Sequence, residues 1–258
     1  MELRAPADVL AALHDPALVP HHSADRSTGA TMRLRGEMAR FSPPVAHGPR
    51  RADVVAVIES IDVDAVRLRA ADEAEARLVD DVDLVAGIAR VVPTVTLWGA
   101  LALPGPAALA DVEAVVRVIG RGEPATATSD AAAERLLGVA DVATVSLLYQ
   151  DFDATSALIA TTLAPGAAPA VPRTRRVAAA DTSIGGVPVA AGVELVVEIG
   201  AAGFPFGAGP HECPGRTLAE AIVAGVIDAW TRSGLAIDPA SIDLDPDGRP
   251  TRLVACRP

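Results

Sequence analysis

Up to residue 166 the apolar positions recur mostly at the helical spacing, and beyond it they gather into short alternating runs. Residues 6–14 read as a short helix opened by Pro6 and closed by "DPALVP". The stretch "HGPRRADVVAVIESI" puts Pro49 in a first turn, with Val54, Val55, Val57 and Ile58 on one stripe. "DVDAVRLRAADEAEARLV" and "DVDLVAGIARVVPTVTLWGALAL" keep the helical period, and a further helix is expected from Pro106 to Gly120. From Asp141 to Gly166 the pattern is unbroken, and its first 24 residues would extend about 36 Å as one helix. After Ala167, "VPRTRRVAAADTSIGGVPVAAGVELVVEIGAAG" predicts two or three strands with a hairpin at Gly185–Gly186. A last helix is expected with Pro214 at its first position and Leu218, Ile222, Val223, Val226 and Ile227 on one face. The remaining residues suit a hairpin turning at Asp247–Gly248.

These elements predict a mainly α fold with a small β portion, in a single domain over residues 1–258. Its parts are 1–166, mainly helical; 167–203, β-rich; 204–230, a loop and helix; and 231–258, a terminal β piece.

Composition narrows the function classes. Half the residues are hydrophobic but only 3% aromatic, so the core is expected to be Ala, Val and Leu. There is no Lys and no Asn, which reads as genome bias. A net charge of -11 argues against attraction to nucleic acid or an anionic membrane. The first residues lack the pattern of a signal peptide. Val91–Ala110 is uncharged, but Pro93, Pro104 and Pro106 favour a buried helix followed by a turn over a membrane span. Two cysteines, Cys213 and Cys256, do not make a disulfide framework, and a cytoplasmic location is expected. His21–His22 has no companion ligand at metal spacing and reads as a loop pair.

Cys256 fits a small apolar residue of a terminal strand, whereas Cys213 lies in "FGAGPHECPG", between glycines and a helix start. A thiol in that position is easily ionised by unpaired backbone N–H groups. Gly207, Gly209 and Gly215 permit a positive φ or a close backbone approach. Phe206, Gly207, Gly209, His211, Cys213 and Gly215 stand at the spacing of the haem-ligand loop of the cytochrome P-450 family, which this stretch resembles. The resemblance implies haem b as cofactor, Cys213 as proximal ligand to the haem iron, Phe206 shielding the sulfur and His211 directed at a propionate.

Other segments resemble the same family in the same order. "DVLAALHDPALVP" is similar to its B helix. "MARFSPPVAHGPRRADVV" is similar to the approach to its C helix, which makes His47 and Arg51 propionate ligands. "VPRTRRVAAADTSIGGVPVAAG" is similar to the strand pair after its K helix, with Arg176 as a further propionate ligand. "LLYQDFDATSALIATTL" is similar to its central I helix. The implied fold is therefore a shortened cytochrome P-450-like one, with a long central I-type helix and the cysteine loop before an L-type helix.

The chain also departs from the family pattern. N-terminal strands, the K helix with its E-x-x-R pair and the meander before the cysteine loop are all expected to be missing. Glu37 and Arg40 make the chain's own E-x-x-R, far upstream on a polar helix face. In the I-type helix the acid survives as Asp153, the groove glycine is Asp151, and the alcohol position is Ala154 with Thr155 beside it. Asp151, Asp153 and Thr155 are the catalytic candidates, and Ala154 is expected to line the cofactor.

The resemblance implies monooxygenase or peroxygenase oxidation of a small organic substrate in bacterial specialised metabolism, using a ferredoxin-type partner or peroxide. Two alternatives stay open: a redox-neutral haem-dependent isomerase or dehydratase, and a catalytically retired helper of a partner enzyme. A homodimer is expected, because missing layers would uncover apolar surface.

Overall fold

In a computed structural model, residues 1–20, 29–164 and 166–258 are described; His21–His22 lies outside them. The chain runs through β1 (Glu2–Leu3), α1 (Pro6–His14), β2 (Leu18–Pro20), α2 (Ala30–Glu37) and α3 (Pro44–Glu59). It continues through α4 (Val63–Glu75), α5 (Val92–Ala100), α6 (Leu109–Ile119), α7 (Ala127–Leu137) and α8 (Val142–Leu163). Four strands follow: β3 (Thr174–Ala178), β4 (Thr182–Ile184), β5 (Val187–Val189) and β6 (Glu194–Val197). After them come α9 (Arg216–Ser233), β7 (Ala236–Ile237), β8 (Asp243–Leu244), β9 (Pro250–Arg252) and β10 (Ala255–Cys256). The mainly α architecture with a small β portion is as expected.

The long helix α8 is the axis of the helical core. Asp141 caps it, its carboxylate accepting from the Thr144 N–H at 2.8 Å. Leu147, Leu148, Phe152, Ile159 and Leu163 are buried along it, together with Asp151, Thr155 and Ser156. A helix apolar on nearly every side belongs inside a domain. Ser156 ties it to a neighbour, its hydroxyl lying 2.7 Å from the Ala89 carbonyl and also against that of Phe152. Ala89 ends a π-helical turn, Leu84–Ala89, where the sequence had predicted regular helix; the Asp83 carboxylate accepts from the Val85 and Ala86 N–H groups that start this turn.

α4 and α9 pack in close contact. Gly225 makes this possible, since a Cβ there would fall 2.2 Å from the Arg67 carbonyl oxygen. Arg67 also pairs with Asp228 of α9 at 2.7 Å.

A smaller core of Val9, Leu13, Leu18, Leu195 and Val197 lies under a sheet ordered β1-β6-β3-β2. β1 runs parallel to β6, with Leu3 opposite Val197, and the other pairs are antiparallel. The sheet therefore draws two strands from the first 20 residues, where only a helix was expected; strands of two and three residues carry no readable alternation. The predicted hairpin forms between β4 and β5, with Gly185 and Gly186 both at positive φ (57° and 80°).

Three helix starts differ from the pattern. α3 begins at Pro44, leaving Pro49 inside it; the fixed φ of either proline suits a helix, and the earlier one takes the first turn. α6 begins at Leu109, because Ala102 and Gly105 at positive φ hold Pro106 in the preceding loop. α9 begins at Arg216 with Gly215 as its cap, so Pro214 precedes the helix. Between α8 and β3 the described residues form no helix, and no helix among the described residues is long and apolar enough to cross a membrane.

Candidate active site

The cysteine loop is folded by its own backbone. The Cys213 N–H donates to the Phe206 carbonyl at 2.9 Å, the Gly207 N–H to that of Phe204 at 2.8 Å, and the Glu212 N–H to that of Gly209 at 3.0 Å. Gly207 and Gly209 have φ of 74° and 69°, which a side chain would strain. At Gly209 a Cβ would also meet the Leu13 carbonyl oxygen and the His14 ring at 3.0 Å, so this glycine lets the loop lie on α1. Gly215 has an ordinary φ of -85°, and a Cβ there would make only ordinary contacts with Cys213, Ile58 and Leu147. Its close-approach role is not needed by this backbone.

α3 supplies the facing wall. His47 and Arg51, one turn apart, both reach the loop. The His47 and His211 rings lie 4.4 Å apart, and Arg51 Nη2 donates to the Glu212 carbonyl at 2.6 Å. Residues separated by more than half the chain are thus brought together at the cysteine loop.

Cys213 is exposed by surface area. Its pKa is nevertheless raised, with desolvation by neighbouring protein as the largest cause; the Gly215 N–H, Arg51 and Arg40 pull it down, and Asp151 pushes it up. The sulfur is open to solvent on one side and crowded by protein on the other. With α9 starting three residues later, the helix N-terminus does not dominate, and the expectation of a readily ionised thiol is corrected.

Phe206 keeps its backbone tie to Cys213, but its ring lies beneath the Arg216 guanidinium, 5.1 Å from centroid to carbon. It borders a hollow of about 360 Å³ between α8 and α9, lined also by Leu158, Val223 and Ile227. The cation on its face and this apolar hollow position the ring.

Arg176 on β3 is 5% exposed. Its Nη1 donates to the Thr174 hydroxyl and the Arg175 carbonyl, both at 3.1 Å, and its Nε has no partner. Burial, then repulsion from Arg40, lowers its pKa to about 10. A buried guanidinium resting on neutral oxygens is short of an anion.

On α8 the two acids separate. Asp153 is half exposed and pairs with Arg121 at 2.8 Å, so it does not join the site. Asp151 is buried; burial raises its pKa to about 7, opposed by a hydrogen bond with Thr155, and its Oδ2 has no partner. Ala154 is half-buried beside them. The buried acid of this helix is therefore Asp151, with the buried Thr155 one turn on. Helical geometry explains the change: positions 151 and 155 share a face, while 153 points some 200° away. Arg40, which the sequence left aside, lies with its guanidinium carbon 5.9 Å from the centre of the Phe41 ring, and that ring is 6.2 Å from Tyr149 on α8. Its place just ahead of the His47–Arg51 turn was the only available signal.

No family model matches the sequence, and no curated protein matches it. Solved structures do. A mutant of CYP105P1 is 19% identical, with 100% of this chain and 90% of that chain covered and a TM-score of 0.75. Cytochrome P-450 BioI, in complex with hexadec-9Z-enoic acid ligated acyl carrier protein, is 13% identical, with 99% and 91% covered and a TM-score of 0.79. The fold is that of the cytochromes P-450. A mutant of the mixed-function P-450 MycG in complex with mycinamicin IV matches likewise, at 16% identity, 98% and 89% coverage and a TM-score of 0.73.

The cytochrome P-450 fold implies haem, and the donor set fits it. Haem offers an iron that takes a thiolate and two propionates that need cationic donors. Cys213 is an accessible thiol, Arg176 is a buried cation that pairs with no acid among the described residues, and His47, Arg51 and His211 stand at the same loop.

Proposed function

We propose that the chain is a haem-thiolate oxidoreductase acting on a small organic substrate. The reading is carried by one observation: the exposed Cys213 thiol follows Glu212, whose carbonyl accepts from Arg51, and the His47 and His211 rings meet at the same loop. Cys213 would ligate the iron, and Arg176, His47, Arg51 and His211 would hold the propionates. When bound, such a group supplies one-electron and dioxygen chemistry, drawing on a ferredoxin-type partner or peroxide.

The chain's own groups handle protons and water. Asp151, with a pKa of about 7, keeps a proton at neutral pH in part of the population. Thr155, one turn on, favours the charged carboxylate against the effect of burial, and Oδ2 is left to donate or accept. Leu147 and Leu148, buried on the same helix, limit water there. A group poised near neutrality serves an oxidation that needs timed protons, and equally a redox-neutral dehydration.

The test is an absorption spectrum of haem-reconstituted protein, reduced under carbon monoxide. A strongly red-shifted Soret band that disappears in Cys213→Ala is expected. The same band in Cys213→Ala, or no haem uptake by the wild type, overturns the reading.

A further inference from the structure

The hollow of about 360 Å³ between α8 and α9 has an apolar floor of Leu158, Val223, Ala224 and Ile227, and the Phe206 ring borders it. Thr162 and Glu220 at its edge are exposed, so one side opens to solvent. Among the described residues between α8 and β3 no helix covers it. Its polar edge is engaged within the chain. The Thr162 hydroxyl donates to the Leu158 carbonyl at 2.6 Å, Arg216 Nε pairs with Glu220 at 2.9 Å, and Arg67 Nη2 pairs with Asp228 at 2.7 Å. Nothing in that edge singles out a small polar ligand, whereas the apolar floor suits a protein face.

Charge decides which face. Each molecule carries a net charge of -11, so two copies repel over most of their surface. At the hollow, Arg67 and Arg216 balance Asp228 and Glu220. The signs are also ordered along α9. Arg216 opens the helix, its guanidinium carbon 5.1 Å from the centre of the Phe206 ring. Asp228 stands about three turns later, about 18 Å along the axis. Two α9 helices related by a twofold axis beside position 222 run antiparallel. Arg216 of each copy then meets Asp228 of the other at both ends, with Val223 and the small Ala224 near the axis. Half-exposed ion pairs within one chain are weak, so sharing them with a second copy costs little.

We propose that this hollow is the contact between two copies of the chain, with α9 packed antiparallel on α9 and Arg216 paired with Asp228 of the second copy. The Phe206 carbonyl accepts from the Cys213 N–H at 2.9 Å, so the contact also backs the cysteine loop. Haem plays no part in it, and the absorption spectrum and the measurement below fail separately.

The test is sedimentation equilibrium of the full chain without haem, at about 1 to 100 µM, where interfaces of modest quality associate. Wild type is expected near twice the mass of one chain. It is compared with Arg216→Glu, Asp228→Arg and Ala224→Glu. The control is Arg232→Glu, on the same helix but paired with Glu75 of α4. The first three variants weaken self-association about tenfold or more, and the control leaves it unchanged. An equimolar mixture of Arg216→Glu and Asp228→Arg recovers the dimer, because both end contacts of the mixed pair again join opposite charges.

Thermal unfolding separates a lost contact from a lost fold. Arg216 is exposed and Ala224 half-buried, so their variants keep the test decisive even if Asp228→Arg does not fold. A monomeric wild type overturns the proposal. A dimer that Arg216→Glu and Ala224→Glu leave intact also overturns it, since the contact then lies elsewhere. So does a mixture of the two folded charge-reversal variants that stays monomeric.

Discussion

The Thr155 hydroxyl and the Asp151 carboxyl meet one turn apart on the buried side of α8. Burial is the larger influence, and it raises the carboxyl pKa from 3.8 to about 7. The folded chain therefore binds a proton that the unfolded chain releases between those values. Stability falls as pH rises through this window, and the full cost is present above about 7. At about 1.4 kcal/mol per pH unit, this is worth up to roughly 4 kcal/mol. Asp151→Asn should thus stabilise the protein at pH 8 relative to its effect at pH 4. Thermal unfolding at the two values checks this; an equal effect at both would place the carboxyl in water.

Asp153 should behave differently. It is half exposed and paired with Arg121, and an exposed ion pair contributes about 0–1 kcal/mol. Asp153→Asn should lower stability by no more than that. A loss above about 2 kcal/mol in urea unfolding would contradict the surface placement.

Gly225 tests the α4–α9 contact. A Cβ 2.2 Å from the Arg67 carbonyl oxygen requires the helices to separate. Gly225→Ala is expected to destabilise by about 1–3 kcal/mol, as overpacking does, despite alanine's better helix propensity. Denaturant titration gives the sign directly.

Cys213 provides a chemical test. Its raised pKa means less thiolate at pH 7 than an ordinary cysteine, whose value is 9.0. Alkylation by iodoacetamide, followed at the Cys213 peptide by mass spectrometry, should be slow at pH 7 and still accelerating above pH 9. Removing a cation that lowers the pKa, in Arg51→Gln, should slow it further at a given pH. A faster reaction in that variant would reverse the assigned sign.

The cysteine loop and its partners were legible because glycine, proline and a spaced ligand pattern act locally. Gly207 and Gly209 adopt the positive φ their positions permit, and the His47 and His211 rings come together at the loop. The bounds of α8 were legible for the same reason, a carboxylate cap at Asp141 and a sustained apolar run. Its orientation was not. A helix buried nearly all round has no polar stripe from which to read a face, so Asp151 and Asp153 could not be ranked. β1 and β2 were missed because two or three residues show no period.

The seating of α9 on α4 also sets the order in which the molecule becomes complete. Arg67 and Asp228 are 161 positions apart, and contacts of such separation form only after a large loop has closed against its entropy. The Cys213 loop precedes the helix that this contact fixes, and its facing residues, His47 and Arg51, precede α4. A chain still folding therefore has a thiol and scattered arginines but no common place for them. The surroundings of Cys213 are accordingly a property of the finished fold, and no partly folded chain has them.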